Sequence, residues 1–368
     1  MATTTTINPL ANPKGTKKLC ELCQKPAYIQ CPNCRVTYYC DREHQKLDWD
    51  GIHAETCQLL IPLRTPLPFS SSADERAHRE RQQLNRQRQI IELARTHGQK
   101  LLFESKYDLV VPAAMLCLKF SIGLYGLNSI ELVPSYLLLG EASIGLGRLK
   151  QGEDYLSQAQ WTVLKTPECP NQIKSKLYRN LGLLHAAKKN HSEALLQLAD
   201  DIYHSSLVYG TDHIHTSGGY FHMANIFLKE GSPEKTLTLY DRVVTVWFAH
   251  LSLLIKEHEK TANLEDPAAI VAGQDELSLD VAQEAEAKLV LNTIQTVVQE
   301  KILHKEDHEL TIKVHAALAM LHYILNETSK VIEMLDVIKK VVDRPSNINS
   351  KLVESYQQFR LIVEKHLS

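Results

Sequence analysis

The chain changes character near residue 74 when read for its alternation of apolar and polar positions. From there to the C-terminus apolar residues recur at three- and four-residue spacing, the signature of amphipathic helices. Alternating β-branched runs are scarce, so no sheet is expected in this part. The stretch beginning Asp74-Glu-Arg-Ala-His-Arg-Glu-Arg is charged and lacks Gly and Pro. Ser72 can cap it, which predicts a solvated helix that turns apolar near Ile90, Ile91 and Leu93. The charge run Arg79–Arg88 reads as its wet face. Pro112 should kink a second helix or mark its start. Residues 258–280 read as an inserted loop. A further hairpin is expected around Ala319 and Leu335, and a final helix, Lys351 to Leu367, could cap the array.

The helical part also repeats. Gly98, Gly140, Gly182 and Ala224 stand 42 residues apart. Four residues before them come Ala94, Tyr136, Tyr178 and Tyr220. Seven residues after them come Ser105, Gly147, Lys189 and Gly231, where a turn is expected, and sixteen after them Ala114, Leu156, Leu198 and Tyr240. Gly126 and Gly210 lie two periods apart. A small residue in the first helix of each pair lets its partner approach, and the tyrosine one turn earlier fills the groove between neighbours. Such hairpins cannot bury their apolar faces alone and so stack. The fold class expected is mainly α: a small metal-bound finger followed by an α-solenoid of helical hairpins over 74–257, with further hairpins and a capping helix over 281–368.

Before residue 74 the pattern is different. Residues 1–18 are rich in Thr, Asn and Lys, with Pro9 and Pro13, and read as disordered. Residues 59–73 hold a Pro/Ser run and read as a linker. Between them, over 19–58, lie six of the eight cysteines, spaced Cys20-x2-Cys23-x7-Cys31-x2-Cys34-x5-Cys40-x3-His44-x8-His53-x3-Cys57. Each short spacing lets two side chains from one knuckle or one helical turn meet on one ion. Thiolate and imidazole are the donors that tetrahedral zinc takes. Eight donors make two closed sites with no position left for water, so two structural Zn2+ ions are expected and no catalytic residue. Cys117 and Cys169 read as plain thiols. His213, His215 and His222 form a cluster without a completing Cys or carboxylate pair, and read as packing histidines rather than a further metal site.

A chain of 368 residues suits two or three domains. Net charge −2 argues against a nucleic-acid binder. No apolar leader and no run of about 18 apolar residues is seen, so neither secretion nor a membrane partner is expected, and the cytoplasm is the expected compartment. No small-molecule substrate is implied.

The Cys/His pattern resembles the MYND finger, on Tyr38-Tyr39-Cys40, Gln45, Asp48-Trp49 and His53-x3-Cys57. The resemblance implies that the pairs interleave: one site from Cys20, Cys23, Cys40 and His44, the other from Cys31, Cys34, His53 and Cys57. His44 stands where that family usually has Cys. MYND fingers commonly take Pro-x-Leu-x-Pro peptides. The implied contacts here are Gln45 and Trp49, while Pro32 replaces a third, polar position. Pro62-Leu-Arg-Thr-Pro and Pro66-Leu-Pro offer an internal ligand.

The hairpins resemble tetratricopeptide repeats, on Leu139-Gly140 and Leu181-Gly182. Their long period is similar to that of kinesin light chains. Finger, linker and long-period repeats in this order resemble the zinc finger MYND domain-containing protein 12 family. That resemblance implies a non-enzymatic adaptor of the axoneme of motile cilia and sperm flagella, working with another tetratricopeptide protein and inner dynein arms. One alternative is a transcriptional co-regulator. Another is a SET-type lysine methyltransferase, which the sequence disfavours: Asn190-His191-Ser192 and Gly145-Leu-Gly147 both fall at expected repeat turns.

Overall fold

The computed structural model describes residues 5–7, 17–66, 69, 71–262, 279–300, 308–343 and 350–367. It is mainly α-helical and divides into two compact units, Met1–Ile173 and Lys174–Ser368.

The first unit opens with the finger. Strands β1 (Thr5–Thr6), β2 (Ile29–Gln30) and β3 (Tyr38–Tyr39) form a small antiparallel sheet in that order. Thr5 pairs with Gln30 and Thr6 with Ile29, and the Ile7 amide donates to the Tyr28 carbonyl. The disorder expected over 1–18 therefore does not hold for Thr5–Ile7, because backbone hydrogen bonds on the open edge of β2 hold them. Helix α1 (Arg42–Asp48) runs through a π-helical turn (Trp49–His53) into α2 (Ala54–Arg64). The expected linker is thus shorter at its N-terminal end. Leu59 to Arg64 are helical, Pro62 lies inside α2, and Leu60 is buried. Pro62 is consequently no part of an extended internal ligand, and Leu67 and Pro68 of the second candidate lie outside the described residues.

Next come α3 (Ala73–Phe103), α4 (Tyr107–Tyr125), a 3-10 turn (Ile130–Leu132), α5 (Val133–Gly145) and α6 (Leu149–Lys165). Ser72 caps α3 by accepting from the Glu75 amide. Pro112 sits inside α4, which continues past it to Tyr125. By length and composition α4 could cross a membrane, contrary to the sequence reading. In this fold Val110, Ala113, Ala114, Leu116 and Cys117 of α4 are buried in the unit's core.

Helix α7 (Asn171–Ala187) leads into the second unit. It is followed there by α8 (His191–Tyr209), α9 (Ile214–Lys229), α10 (Pro233–Ala262), α11 (Val281–Gln299), α12 (His308–Ile324), α13 (Thr328–Val342) and α14 (Ser350–Leu367). Residues 258–262, expected in a loop, are the end of α10. The rest of that loop up to 278 lies outside the described residues, and Asp280 caps α11 with a full capping box. The unit's core gathers around Tyr240, Trp247, Leu251, Leu291, Ile294 and Leu318, all at most 1% exposed.

The 42-residue period has a backbone counterpart. Ser105, Gly147, Lys189 and Gly231 all have positive φ, at 57, 73, 63 and 70°. At each, two hydrogen bonds close the end of a first helix. For Gly147 they run from the Gly147 amide to the Ile144 carbonyl and from the Arg148 amide to the Ser143 carbonyl. The same pair recurs at Ser105, Lys189 and Gly231. This is the Schellman end, which needs one left-handed residue. A second series, Gly126, Glu168 and Gly210, also has positive φ, at 85, 56 and 85°. Gly126 and Gly210 directly follow the second helices α4 and α8, and Glu168, one period from each, lies in the turn after α6, three residues past Lys165. At Gly140 and Gly182 the small residue meets its partner sixteen positions on, whereas at Gly98 the nearest neighbours are Leu138 and Ala113. A side chain at Gly140 would come 2.8 Å from the Leu156 Cδ2, and one at Gly182 would come 2.8 Å from the Leu198 Cγ. Ala224 and Tyr240 are both fully buried, and the Tyr240 hydroxyl donates to the Asn225 Oδ1 at 2.7 Å.

Candidate metal centre

Two groups of four donors converge in the finger. The ligand atoms of Cys20, Cys23, Cys40 and His44 lie within 4.8 Å of one another, as do those of Cys31, Cys34, His53 and Cys57. Local backbone sets each pair up. Cys20/Cys23 and Cys31/Cys34 sit on tight knuckles, and the residue after each second cysteine, Gln24 or Arg35, is left-handed, at φ 57 and 58°. The Gln24 amide returns to the Cys20 carbonyl and the Arg35 amide to the Cys31 carbonyl. Asp41 caps α1, its Oδ1 accepting from the His44 amide at 2.8 Å, which places His44 beside Cys40. His53 and Cys57 are four apart on one helical run and share a face.

The spacings suit zinc. Bonds of about 2.3 Å to sulfur and about 2.0 Å to nitrogen in a tetrahedron imply about 3.8 Å between sulfurs and about 3.5 Å from sulfur to nitrogen. The Cys23 and Cys40 sulfurs are 3.6 Å apart and those of Cys31 and Cys57 3.9 Å. The His44 Nδ1 lies 3.4 Å from the Cys20 sulfur and 3.1 Å from that of Cys40, and the His53 Nε2 lies 3.6 Å from the Cys34 sulfur. Each set therefore fits one Zn2+ with three sulfurs and one nitrogen, and four protein donors leave no open position. The sets differ in setting. Cys31, Cys34, His53 and Cys57 are all buried, whereas Cys23, Cys40 and His44 are half-buried. In the buried set, hydrogen bonds from Cys31, His53 and Thr37 hold the Cys34 thiol below its usual range, toward the thiolate. That is the form a metal takes.

A second layer orients these ligands. Asp48 is buried, and its Oδ2 accepts from the Tyr39 hydroxyl at 2.6 Å and lies 3.9 Å from the His53 Nδ1, so the other ring nitrogen faces the sulfurs. Burial pushes the Asp48 carboxyl up to about 6. Arg64, at the end of α2, clamps both Glu21 oxygens at 2.7 and 3.2 Å and also donates to Thr37 Oγ1 and the Val36 carbonyl. It thereby ties the first knuckle to the second. Burial alone would raise the Glu21 carboxyl, but Arg64 and Lys119 overcome it and hold it below the usual range. Asp41 was recoverable from the sequence as a capping residue. Arg64, Glu21 and Lys119 carried no signal, since charged surface residues look the same whether or not they pair.

The residues expected to hold a peptide are placed differently. Gln45 is 2% exposed and offers almost no surface; its helix α1 packs against α4. Trp49 is half-buried and meets the His53 ring edge-on, at 5.7 Å between centroids, within the finger's own core. His213, His215 and His222 do not assemble a further site. The His213 Nδ1 accepts from the His215 amide, both rings pack against Tyr209, and His222 lies against Phe221. Among the described residues only the two finger sets converge as metal donors.

The geometry defines a small finger closed by two Cys3His sets. Residues 20–57 match the MYND finger family. The same region is similar to Programmed cell death protein 2 of Rattus norvegicus, 39% identical over 44 residues. That segment covers 12% of this chain and 13% of that protein.

Proposed function

We propose that this protein is a non-enzymatic adaptor whose binding surface is carried by the helical hairpins. The observation that carries the reading is the recurrence of one hairpin geometry, with left-handed Schellman ends at Ser105, Gly147, Lys189 and Gly231. This supports the tetratricopeptide resemblance, because each hairpin closes its first helix with the same backbone device at the same period. The surface has the apolar anchors such a role needs. On α8, Leu196, Tyr203 and Leu207 share one face and are 57, 58 and 56% exposed. On α6, Trp161 and Leu164 are 58 and 74% exposed. Tyr and Trp, here Tyr203 and Trp161, are among the residue types that dominate binding energy at interfaces, and the leucines beside them add apolar area. Closed metal sites support a structural finger rather than a catalytic one.

The order of finger and repeats resembles that of the zinc finger MYND domain-containing protein 12 family, and that resemblance implies the axoneme of motile cilia and sperm flagella as the setting, with another tetratricopeptide protein and inner dynein arm components as partners. Affinity purification of the full chain from ciliated or testis tissue tests this, with Tyr203→Ala/Leu207→Asp as control. Axonemal proteins should be recovered with the parent chain and lost with the control. Recovery of chromatin factors without axonemal proteins would overturn it.

A further inference from the structure

The two metal sets stand in different relations to the helices beside them. The buried, inner set draws His53 and Cys57 from the π-turn and α2. That same stretch carries the contacts to the first hairpin. Ile52 and Leu60, each 1% exposed, pack with Ile90 and Ala94 of α3 and Ala113, Leu116 and Cys117 of α4. Gly51 lies so close to α4 that a methyl group there would fall 2.7 Å from the Leu109 carbonyl oxygen and 3.0 Å from the Pro112 ring. Residues 53 and 57 thus face the ion while 51, 52 and 60, one to three positions away, face the helices.

The outer set, Cys20, Cys23, Cys40 and His44, is organised by the first knuckle and the start of α1. Apart from the packing of α1 itself against α4, its tie to the hairpin is polar: Glu21, between two of its ligands, meets Lys119 of α4 at 2.8 Å, and that lysine side chain is 55% exposed. An ion pair with so wet a partner is a weak tie beside a buried apolar cluster.

We propose that the inner zinc is a clasp. With it, the π-turn and α2 keep the shape that seats Ile52 and Leu60 on α3 and α4. Its loss frees the finger and bares an apolar face made by Ile90, Ala94, Ala113 and Leu116. Loss of the outer zinc disorders the knuckle and leaves the finger seated. The finger is therefore a metal-dependent cover for the first helical hairpin.

Hydrogen exchange on the full-length, zinc-loaded chain tests this, with zinc counted by mass spectrometry. Cys57→Ser should retain one ion and speed exchange in segments 90–94 and 113–117 by about tenfold or more. Cys23→Ser should also retain one ion and leave those segments within about twofold of the parent. Gly51→Ala keeps all eight ligands. It should retain two ions yet speed exchange in the same segments. Segment 191–229 of the second unit reports on folding elsewhere and should not change. Equal exchange in both cysteine variants overturns the proposal. So does loss of both ions from either one, continued protection in Gly51→Ala, or loss of protection across 191–229 in Cys57→Ser.

Discussion

Four equivalent turns carry two glycines and two bulkier residues, and this makes a matched test of the repeat. Gly147 has φ 73° and open space where a side chain would go, with no atom within 4 Å. The cost of Gly147→Ala is therefore backbone strain alone. A left-handed conformation costs an L-residue about 1–2 kcal/mol, and removing glycine recovers about 0.5–1 kcal/mol of unfolded-state entropy. The net loss should be about 1 kcal/mol. At Lys189, φ 63°, the same terms apply with reversed sign, so Lys189→Gly should gain about 0.5–1 kcal/mol. In units of this size 1 kcal/mol moves Tm by about 2–4 °C. Differential scanning calorimetry and urea titration measure both, with the urea slope expected to stay constant. A loss in Lys189→Gly comparable with that in Gly147→Ala would refute the equivalence of the two turns.

The remaining predictions concern packing, charge and pH. Gly140→Ala pushes a methyl group into Leu156 and should cost about 1–3 kcal/mol; a Gly140→Ala/Leu156→Val double variant should recover part of it in the same urea titration. Arg64→Met removes the clamp on Glu21, Val36 and Thr37 while keeping an apolar stem. It should cost the finger about 2–3 kcal/mol and speed zinc release to a chromophoric chelator, and an unchanged release rate would count against the clamp. Burial lowers His215 to about 4, with help from Lys176, His213 and Arg179, and lowers His222 to about 3, with help from Arg179. An unfolded histidine takes up its proton near pH 6.5. Below that pH the unfolded chain therefore binds more protons than the folded one. Stability present above pH 6.5 should fall as pH falls, by up to about 1.4 kcal/mol per pH unit for each histidine. Urea titration of His222→Gln from pH 7 to 4.5 should show a shallower acid limb, and an unchanged limb would refute its part.

Much of the metal centre was legible because its determinants are local. Two cysteines three apart on a knuckle, or His53 and Cys57 one helical turn apart, must converge wherever the rest of the chain goes. The interleaving came only through resemblance to a family, since spacing says which residues pair but not which pairs share an ion. The turns at Ser105 and Lys189 were legible only through the period, because neither residue by itself asks for positive φ. Glu168 escaped notice for the same reason, sitting midway between Gly126 and Gly210 with a side chain that left-handed turns disfavour. Gln45 was named through resemblance alone, and its burial was not legible because α1 packs against α4, a helix some sixty residues further along the chain.

By itself, then, the sequence determined the zinc chemistry, the mainly helical class and the 42-residue period. These follow from side-chain donors, hydrophobic spacing and backbone geometry within a few residues. The tertiary structure alone decided that the run after Cys57 is helix and buried contact rather than linker. It also decided that Thr5 and Thr6 add a strand to the finger, and that Ile52, Gly51 and Leu60 seat the finger on α3 and α4. Each depends on which apolar or hydrogen-bonding surfaces meet across dozens of residues. Such matches are set by shape and burial in three dimensions, which one-dimensional spacing does not encode.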